Sequence, residues 1–360
     1  MKLVIDLRLI NASGIGTYLK NVLPGILPFF DAVTVLGNSS EIQSFEWSKN
    51  VEILAFNAGI YSLKEQIQYP FKIPKCDILW CPHFNVPLLP VKAAKIVVTI
   101  HDVYHLTAKA SISKAHKKYA QLLVNNAVKK AEVIFTVSEF SKSEILKHTN
   151  ANAKKIEVVY GGVNKSTFQN QDFKSDLSLP KNYILYVGNI KPHKNLITLL
   201  KAYCSFSDAF KAEHPLVFIG KKDGFITKDD FINDFIKNNS LEDYITFTGY
   251  VKDNEIPKIY QDSNLFVFPS LYEGFGLPIL EALAAGTKVI CSNAASLPEI
   301  GGDAVLYFDP KNAEELAEKI KTNIDDTTKD SFLLTQSEKQ LEKFTWKKSI
   351  ENHLNAFKKI

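Results

Sequence analysis

Residues 265–286 contain a short apolar run, a glycine-rich turn and a second apolar stretch, in the order LFVFPSLYEGFGLPILEALAAG. The four apolar residues from Leu265 to Phe268 are typical of a strand that is buried on both faces. Gly274 and Gly276 permit backbone angles that other residues avoid, and Pro278 suits the first turn of a helix. This segment therefore predicts a strand, a tight turn and a helix, which is the repeating unit of a parallel α/β sheet.

The start of that helix is a predicted anion site with two carboxylates nearby. Amides at a helix start, together with the positive end of the helix dipole, attract phosphate. Glu273 lies in the turn, and Glu281 lies about one helical turn beyond Pro278. Carboxylates repel phosphate but accept hydrogen bonds from sugar hydroxyls, so the pair favours a nucleotide sugar as the ligand. The alternative is a solvated surface turn before a capped helix.

Apolar strands alternate with helical stretches along the whole chain, in two series. The first series predicts strands near residues 2–7, 32–36, 51–56, 78–80, 96–100, 133–137 and 156–159. The second predicts strands near residues 183–187, 216–219, 245–247, 265–268, 288–291 and 304–308. A polar stretch at residues 164–182 between the two series is typical of an interdomain linker. The pattern predicts an α/β fold of two facing, Rossmann-like, doubly wound parallel sheets with an interdomain cleft for ligands.

The bulk composition is that of a globular protein with room for two domains in its 360 residues. No uninterrupted apolar run approaches the length of a membrane span, and the chain begins directly with the strand KLVIDL, so we expect a cytoplasmic protein. Cys76, Cys81, Cys204 and Cys291 are scattered and match no standard zinc spacing. Buried thiols are therefore favoured over metal ligands.

The formal net charge of +4 conceals an uneven distribution, because residues 1–170 carry a net charge of +8 and the remainder carries −4. Residues 114–131, KAHKKYAQLLVNNAVKKA, are typical of an amphipathic helix with a lysine-rich face. Such a face favours an anionic membrane surface or a lipid diphosphate. The alternative is a solvated face on a packing helix. Nucleic-acid binding is disfavoured because no recognised binding motif or basic, aromatic platform is present.

Arg8 is the only arginine in the sequence, in which all other basic charge comes from lysine or the chain terminus. It follows the first predicted strand, where a planar donor can hold a phosphate or orient a carboxylate such as Asp6. A chance surface position is the alternative. If the guanidinium acts in the site, Arg8→Lys reduces turnover without unfolding the protein.

Gly14 and Gly16 follow the first predicted strand and open a helix, as a dinucleotide-binding loop does. The third glycine of that motif is missing, since Leu19 occupies its place, which argues against a nicotinamide cofactor. A loop that approaches a diphosphate or a sugar remains possible, and an ordinary strand-to-helix turn is the alternative.

Several motifs together resemble one protein family. The run YEGFGLPILEALAAGTKVICSNAASLPEIGGDA resembles the donor-site signature of the retaining glycosyltransferases of family four, which have the two-domain GT-B fold. Further matches follow the expected order: GIGTYLKNVLP, CPHFNVPL, VTIHDV, FTVSEFSKSEI, VVYGGVN, YVGNIKPHKNL and FTGYVKDNEIPKIYQDS. The resemblance implies an N-terminal acceptor-side domain at 1–170, a donor domain at 171–344, and a C-terminal helix at about 345–360 that packs back on the first domain.

The resemblance also implies roles for individual residues. His101, Glu273 and Lys194 are the candidate catalytic residues: His101 contacts the transferred sugar, Glu273 positions it, and Lys194 binds the diphosphate. The candidate donor-binding residues, taken from the resembled motifs, are Gly14, Gly16, Gly188, Asn189, Lys194, Tyr250, Val251, Gly274, Phe275, Gly276, Leu277 and Glu281. His83 is a candidate for the acceptor side.

One position departs from the family pattern. Many members place an arginine directly after the glycine that this chain has at position 188, but here the residue is Asn189. Lys191, His193 or Arg8 is a candidate replacement for the missing phosphate-binding cation.

The implied reaction is a retaining, metal-independent transfer of a hexosyl group from a nucleotide diphosphate sugar, with GDP-mannose as the preferred donor. No D-x-D triplet is present, so we expect amides, Lys194 and a helix dipole in place of a metal ion, and no cofactor. The expected acceptor is a glycan or a polyprenyl-diphosphate-linked glycan in bacterial O-antigen or capsule synthesis, at the inner face of the cytoplasmic membrane. A UDP- or dTDP-sugar transferase, a GT-B epimerase and a noncatalytic sugar-binding protein are the alternatives.

Overall fold

The structure is a computed structural model that describes residues 1–107, 110, 112–170, 177–220, 231–326 and 330–360, with only the backbone for residues 330 and 331. The chain divides into two compact units. Unit 1 comprises Met1–Gly161 and Trp346–Ile360, and unit 2 comprises Gly162–Thr345. The division falls nine residues before the expected boundary at 170, and residues 171–176 of the expected linker lie outside the described residues.

The strands of the described residues lie at all thirteen predicted places. In chain order they are β1 (Lys2–Asp6), β2 (Ala32–Gly37), β3 (Glu52–Ala55), β4 (Cys76–Cys81), β5 (Ala93–Thr99), β6 (Val133–Thr136), β7 (Ile156–Val158), β8 (Ile184–Val187), β9 (Leu216–Ile219), β10 (Ile245–Gly249), β11 (Leu265–Phe268), β12 (Val289–Ser292) and β13 (Leu306–Phe308).

Helices connect these strands. In chain order they are α1 (Ser13–Ile26), α2 (Ser39–Gln43), α3 (Leu63–Lys72), α4 (Lys114–Lys130), α5 (Glu139–His148), α6 (Lys165–Gln169), α7 (Leu196–Cys204), α8 (Asp208–Glu213), α9 (Phe231–Asn238), α10 (Ile256–Asp262), α11 (Leu277–Ala285), α12 (Leu297–Gly301), α13 (Ala313–Asn323), α14 (Asp330–Leu341) and α15 (Trp346–Phe357).

Each unit contains one parallel sheet. The strand order is β3-β2-β1-β4-β5-β6-β7 in unit 1 and β10-β9-β8-β11-β12-β13 in unit 2. In both sheets the order reverses beside the first strand, so that β1 is flanked by β2 and β4, and β8 by β9 and β11. The carboxyl ends of strands at such a reversal are the usual ligand site of open α/β sheets. The predicted fold class of two doubly wound parallel sheets is therefore confirmed.

Two strands are longer than their apolar runs indicated. β4 begins at Cys76 and pairs there with Ala93, the first residue of β5. The first residues of β5 are not buried, so no apolar pattern marks them. Backbone hydrogen bonding extends β5 to these residues, and the exposed Asp77 interrupts the apolar run of β4.

The helix α15 completes unit 1, where it packs against α1. A Cβ atom at Gly25 of α1 would lie 2.6 Å from the Ile350 side chain, so the missing side chain leaves room for α15. Ala356 and Phe357 of α15 belong to the buried core of unit 1. The sequence between 164 and 182 is not wholly a linker, since α6 packs on α10 and α11 of unit 2.

Candidate active site

In unit 2, the segment that follows β8 and the segment that follows β11 are joined at the carboxyl edge of the sheet. The Leu271 amide donates to the His193 carbonyl at 2.8 Å. The Asn195 side chain donates to the Pro269 carbonyl at 2.9 Å and to the Pro310 carbonyl at 2.8 Å. Asn195 has a left-handed backbone, with φ of 58°, which asparagine tolerates better than most residues. These contacts fix the two predicted donor-binding segments relative to each other.

Lys194 and Glu273 form an ion pair across this junction. The Lys194 Nζ lies 2.6 Å from Glu273 Oε1, and both side chains are mostly covered. The ammonium also lies 5.6 Å from the centre of the Phe268 ring, within the range of a cation–π contact. The Ser296 hydroxyl donates to the Glu273 carbonyl at 3.0 Å, which holds the backbone of the turn. An ammonium has three donors, and Glu273 is its only hydrogen-bond acceptor in the described part of the chain, so two donors remain for a ligand.

The glycine-rich turn delivers the chain directly into α11. Gly276 has a φ of 121°, and a Cβ atom there would lie 3.0 Å from the Leu297 side chain, so the position requires glycine. Among the residues that the structure describes, no side chain caps this end of α11, and a proline occupies its first turn. The first amides of a helix lack intrahelical partners, and the amide of Leu277 is thus placed for an anion.

Glu281 lies in α11 and accepts a hydrogen bond from the Tyr260 hydroxyl at 3.1 Å. Burial raises the pKa of the Glu281 carboxyl to about 7; the hydrogen bond from Tyr260 opposes this shift and the charge of Asp253 adds to it. A carboxyl group with this pKa changes its charge near neutral pH. Its capacity to accept hydrogen bonds from hydroxyl groups changes with it.

Four further predicted donor-binding residues lie at the same edge of unit 2. Gly188 follows β8 with a φ of 150°, and a Cβ atom there would lie 2.8 Å from the Tyr186 hydroxyl. Asn189 is exposed, and its carbonyl accepts from Tyr186 at 3.2 Å. Tyr250 and Val251 follow β10, with Tyr250 68% exposed and Val251 buried. An exposed aromatic ring at a strand end can stack on a nucleotide base.

The other predicted residues of these segments differ in exposure. Lys191 is exposed and His193 is half-buried. Gly274 is half-buried, and Phe275 is packed edge-on against Phe344, with ring centres 5.8 Å apart. The Phe275 carbonyl accepts from the Ser296 hydroxyl, so this residue also anchors the turn.

In unit 1, Arg8 lies inside a buried polar cluster. Its Nε and one terminal nitrogen bind the two oxygens of Asp6, and the other terminal nitrogen binds Glu65 Oε2 at 2.9 Å and the Ala58 carbonyl at 3.0 Å. A hydrogen bond to the Tyr69 hydroxyl occupies the remaining donor. All five N–H groups of the guanidinium therefore have protein acceptors. Of the two predicted roles for Arg8, this geometry matches the orientation of Asp6 and leaves no donor for a phosphate.

The charges of this cluster depend on one another. Burial acts to lower the pKa of Arg8, but the hydrogen bond and charge of Asp6, with Tyr69 and Glu65, outweigh burial and raise that pKa. Burial raises the pKa of Glu65, and the nearby Arg8 opposes the shift. Removing the guanidinium would leave buried carboxylates without a counter-ion.

His101 lies two residues beyond the end of β5, also at a carboxyl edge. Its Nε2 is 3.1 Å from the Pro82 carbonyl, which can only accept, so Nε2 carries the proton and Nδ1 is an acceptor. Burial lowers the pKa of His101 to about 4, although the Pro82 carbonyl opposes this. The ring is therefore neutral near pH 7 and is suited to accept a hydrogen bond from a hydroxyl group.

His83 belongs to a second group of rings at the same edge of unit 1. The Tyr61 hydroxyl is 3.2 Å from His83 Nε2, and Phe84 packs between His83 and His105, with ring centres 4.1 and 4.6 Å away. Burial and the neighbouring His101 and His105 lower the pKa of His83 well below its ordinary value. His105 Nε2 is buried and has no hydrogen-bond partner within the described ranges.

The two predicted glycines of unit 1 differ in their surroundings. Gly14 lies exposed in the first turn of α1, and a Cβ atom there would meet nothing within 4 Å. A Cβ atom at Gly16 would lie 2.5 Å from the Ile10 carbonyl oxygen. Gly16 is therefore required for close packing of the strand-to-helix turn, the alternative that the sequence left open, while Gly14 keeps the helix start open.

Sequence reasoning missed the residues that hold the candidate groups in place. Tyr260 lies in α10 and bonds to Glu281. Tyr18 lies edge-on to His101, with ring centres 5.1 Å apart, and its hydroxyl bonds to His353 of α15. These residues stand in apolar helical faces, where an aromatic or a histidine gives no sign of a polar partner distant in the sequence.

All four cysteines are free thiols; Cys204 is half-buried and the other three are buried. In the described part of the chain, no three or more His, Cys, Asp and Glu side chains form a possible metal site. Metal-independent transfer stays a prediction. Within the same residues, no helix has both the length and the apolar composition to cross a bilayer.

Comparison with known proteins identifies the family of both units. Residues 167–343 match the family model described as "Glycosyl transferases group 1", and residues 38–167 match "Glycosyltransferase Family 4". The O-antigen chain mannosyltransferase B of Escherichia coli is 32% identical over 276 residues, which cover 75% of this chain and 72% of the relative. The O-antigen chain mannosyltransferase RfbU of Salmonella typhimurium is 29% identical over 73% of this chain and 69% of its own.

The fold also matches solved structures. The structure of Anabaena Alr3699/HepE in complex with UDP and glucose superposes with a TM-score of 0.79 at 17% identity, with the full length of both chains covered. The two family models, the Escherichia coli relative and the two parallel sheets agree with the motifs from which the resemblance was inferred. This chain is therefore a glycosyltransferase of family four with the GT-B fold.

Proposed function

We propose that this glycosyltransferase transfers a mannosyl group, with retention of configuration and without a metal ion, from GDP-mannose to a glycan or lipid-linked acceptor of a bacterial surface polysaccharide. The choice of sugar and pathway is supported by the two relatives, both named as O-antigen chain mannosyltransferases. A cytoplasmic enzyme held at the inner face of the membrane is the matching location.

The observation that carries the proposal is the Lys194–Glu273 ion pair beside the uncapped start of α11. Lys194 retains two donors for a diphosphate, to which the Leu277 amide and the dipole of α11 add attraction. One lysine then contacts both the leaving diphosphate and the carboxylate that positions the sugar. Stabilising the departing charge is the main requirement for breaking a bond to a diphosphate.

The other candidate groups supply hydrogen-bond acceptors for hydroxyls. Glu281, held by Tyr260, binds the ribose hydroxyls, and Tyr250 stacks on the base. His101 offers a neutral Nδ1 to a sugar hydroxyl, and His83 serves the acceptor. A leaving phosphate oxygen takes the proton of the acceptor hydroxyl, and the new glycosidic bond forms on the face from which the phosphate departs.

The test is thermal stabilisation of the purified chain by GDP, UDP, dTDP and CMP in the presence of EDTA, with Glu281→Ala as the control. Selective stabilisation by GDP that Glu281→Ala abolishes is the expected result. Stabilisation by UDP or dTDP alone would mean that the donor is a UDP- or dTDP-sugar and not GDP-mannose. Stabilisation that requires a divalent ion would overturn metal independence. Failure of all four nucleotides would favour a noncatalytic sugar-binding protein.

A second measurement separates transfer from epimerisation. A transferase releases nucleoside diphosphate from its donor in proportion to added acceptor, whereas an epimerase converts the nucleotide sugar without any acceptor. Release that depends on the acceptor is expected here, and analysis of the anomeric configuration of the product by NMR tests retention.

A further inference from the structure

The helix α3 has its polar residues inside and its apolar residues outside. Glu65, Gln66 and Tyr69 are buried, whereas Leu63, Ile67 and Phe71 are 75%, 61% and 86% exposed. Residues four apart lie on one face of a helix, so the three exposed side chains form one stripe, here called the α3 stripe. In an ordinary surface helix the apolar stripe faces the core.

Polar contacts explain why α3 is stable in this orientation. Glu65 accepts from Arg8 at 2.9 Å, Tyr69 bonds to Asp6 at 2.6 Å, and Gln66 Oε1 accepts from the Leu88 amide at 2.8 Å. The α3 stripe therefore takes no part in holding the helix on unit 1. An exposed apolar stripe that folding does not require marks a surface used for binding.

The surroundings of the α3 stripe carry positive charge. Lys64 and Lys72 of α3 are exposed, and the one acidic residue of the helix is buried against Arg8. The helix α4 has no acidic residue, and its lysines Lys114, Lys118 and Lys129 are exposed. The segment 86–88 connects the two helices, because it contacts α3 through Leu88 and contacts α4 through Asn126 and Lys130.

We propose that α3 lies in the surface of an anionic lipid bilayer, with the α3 stripe in the boundary between head groups and acyl chains and the three exposed lysines of α4 against the head groups. Apolar side chains on one face with lysines beside them are what such interfacial helices require. A second copy of this chain fits less well, since three side chains cover little of the area of a stable dimer and the lysines of two copies repel.

This inference deepens the membrane location in the proposed function and rests on it. Tyr61, two residues before α3, bonds to His83 on the candidate acceptor side. Bilayer contact along α3 would thus hold that group of rings near a lipid-linked acceptor. The donor assays of the proposed function use soluble nucleotides, so failure of donor binding and failure of membrane binding are distinguishable.

The experiment measures co-sedimentation of the full chain with vesicles of phosphatidylcholine and of an equal mixture of phosphatidylcholine and phosphatidylglycerol. Wild-type protein should prefer the anionic vesicles. The triple variant Leu63→Ser, Ile67→Ser, Phe71→Ser should partition at least about tenfold less, because each side chain removes apolar surface from the bilayer. Its matched control is Phe231→Ser, Phe332→Ser, Leu334→Ser, which removes exposed apolar side chains of unit 2 and should bind as wild type.

Separate variants test the contribution of the lysine charges and the depth to which α3 enters the bilayer. Lys114→Gln, Lys118→Gln, Lys129→Gln should lose most of the preference for anionic vesicles, while Lys201→Gln, Lys237→Gln, Lys321→Gln in unit 2 should retain it. Phe71→Trp should be quenched by brominated acyl chains, and Phe332→Trp should not. Wild-type partitioning by the stripe variant would overturn the proposal. A concentration-dependent dimer in light scattering that the stripe variant abolishes would also overturn it, in favour of self-association.

Discussion

Units 1 and 2 each place a charged group at the carboxyl edge beside the sheet reversal, but the two groups use their donors differently. Arg8 in unit 1 donates all five N–H groups to protein acceptors, and four of these acceptors are side-chain atoms. Lys194 in unit 2 binds Glu273 and retains two donors. The same position in a parallel sheet therefore serves stability in one unit and is available to a ligand in the other.

The difference follows from the chemistry of the two cations. A guanidinium presents a rigid fork that several buried acceptors can satisfy together, whereas an ammonium is a compact charge with rotatable donors. Burial of a fully bonded guanidinium fixes the start of unit 1. The Lys194 ammonium, which is mostly but not fully covered, can turn towards a phosphate without leaving its carboxylate.

The largest expected effect comes from breaking the cluster in unit 1. We expect Arg8→Lys to lower the free energy of unfolding by about 3 kcal/mol, since lysine cannot satisfy Asp6, Glu65 and Tyr69 together and leaves buried charge uncompensated. Urea unfolding measures the change. The structure thus alters the earlier expectation that this variant loses turnover alone. An unfolding midpoint equal to that of wild type would show that the cluster contributes little to stability.

Lys194→Ala tests the opposite role in unit 2. We expect nucleoside diphosphate affinity to fall by about 2 kcal/mol, as for a lost hydrogen bond to a charged group. The unfolding free energy should fall by less than for Arg8→Lys, because the carboxylate left without its partner, Glu273, is more exposed than Asp6 and Glu65. Calorimetric titration and urea unfolding measure the two quantities. Lys201→Ala, at an exposed position of α7, is the matched control. A large loss of stability with unchanged affinity would show that Lys194 stabilises the fold and does not bind the ligand.

The pH dependence of nucleotide binding tests whether Glu281 of unit 2 contacts the ligand. Its pKa of about 7 means that the carboxylate forms as the pH rises through that value. Nucleotide affinity should therefore rise with pH and level off above the pKa, with about a tenfold loss per pH unit below it. Glu281→Gln should bind weakly at every pH. A flat wild-type profile would show that Glu281 does not bind the ligand.

The raised pKa of Glu281 affects the stability of the fold in the direction opposite to its effect on nucleotide affinity. A carboxyl group whose pKa is raised in the folded state stabilises the fold most below its ordinary pKa, and that contribution is lost as the pH rises to about 7. Stability and donor affinity should then change in opposite directions between those pH values. Urea unfolding across this range measures the first trend, with Glu281→Gln as the reference.

The smallest effect is expected for Tyr260→Phe. Loss of the hydrogen bond to Glu281 should cost about 1 kcal/mol of stability and should raise the pKa of Glu281 further, because that bond lowers it. The affinity profile should then shift to higher pH. Tyr183→Phe, which removes a buried hydroxyl bonded at 2.5 Å to the Ile259 carbonyl, is the control, since it should change stability and leave the profile in place.

Most of the fold could be predicted from the sequence because each apolar run is a local feature of the chain. Each buried strand needs apolar residues at successive positions, and this requirement appears in the sequence wherever the strand is covered on both faces. The start of β5 was missed because hydrogen bonding continues there without burial, and the start of β4 was missed because the exposed Asp77 interrupts its apolar run. The turn at Gly276 was also readable, since only glycine adopts its backbone angles beside Leu297.

The sequence by itself determined the two series of strands, the glycine-rich turn before α11 and the family to which the chain belongs. The pairing of Arg8 with Asp6 was one of the two roles that the sequence offered for Arg8. Tertiary structure alone decided the pairing of Arg8 with Glu65 and of Lys194 with Glu273. It also decided that α3 faces the core with its polar side. The physical reason is that hydrogen bonds and ion pairs join residues far apart in the chain, so their partners exist only after the strands have placed them together.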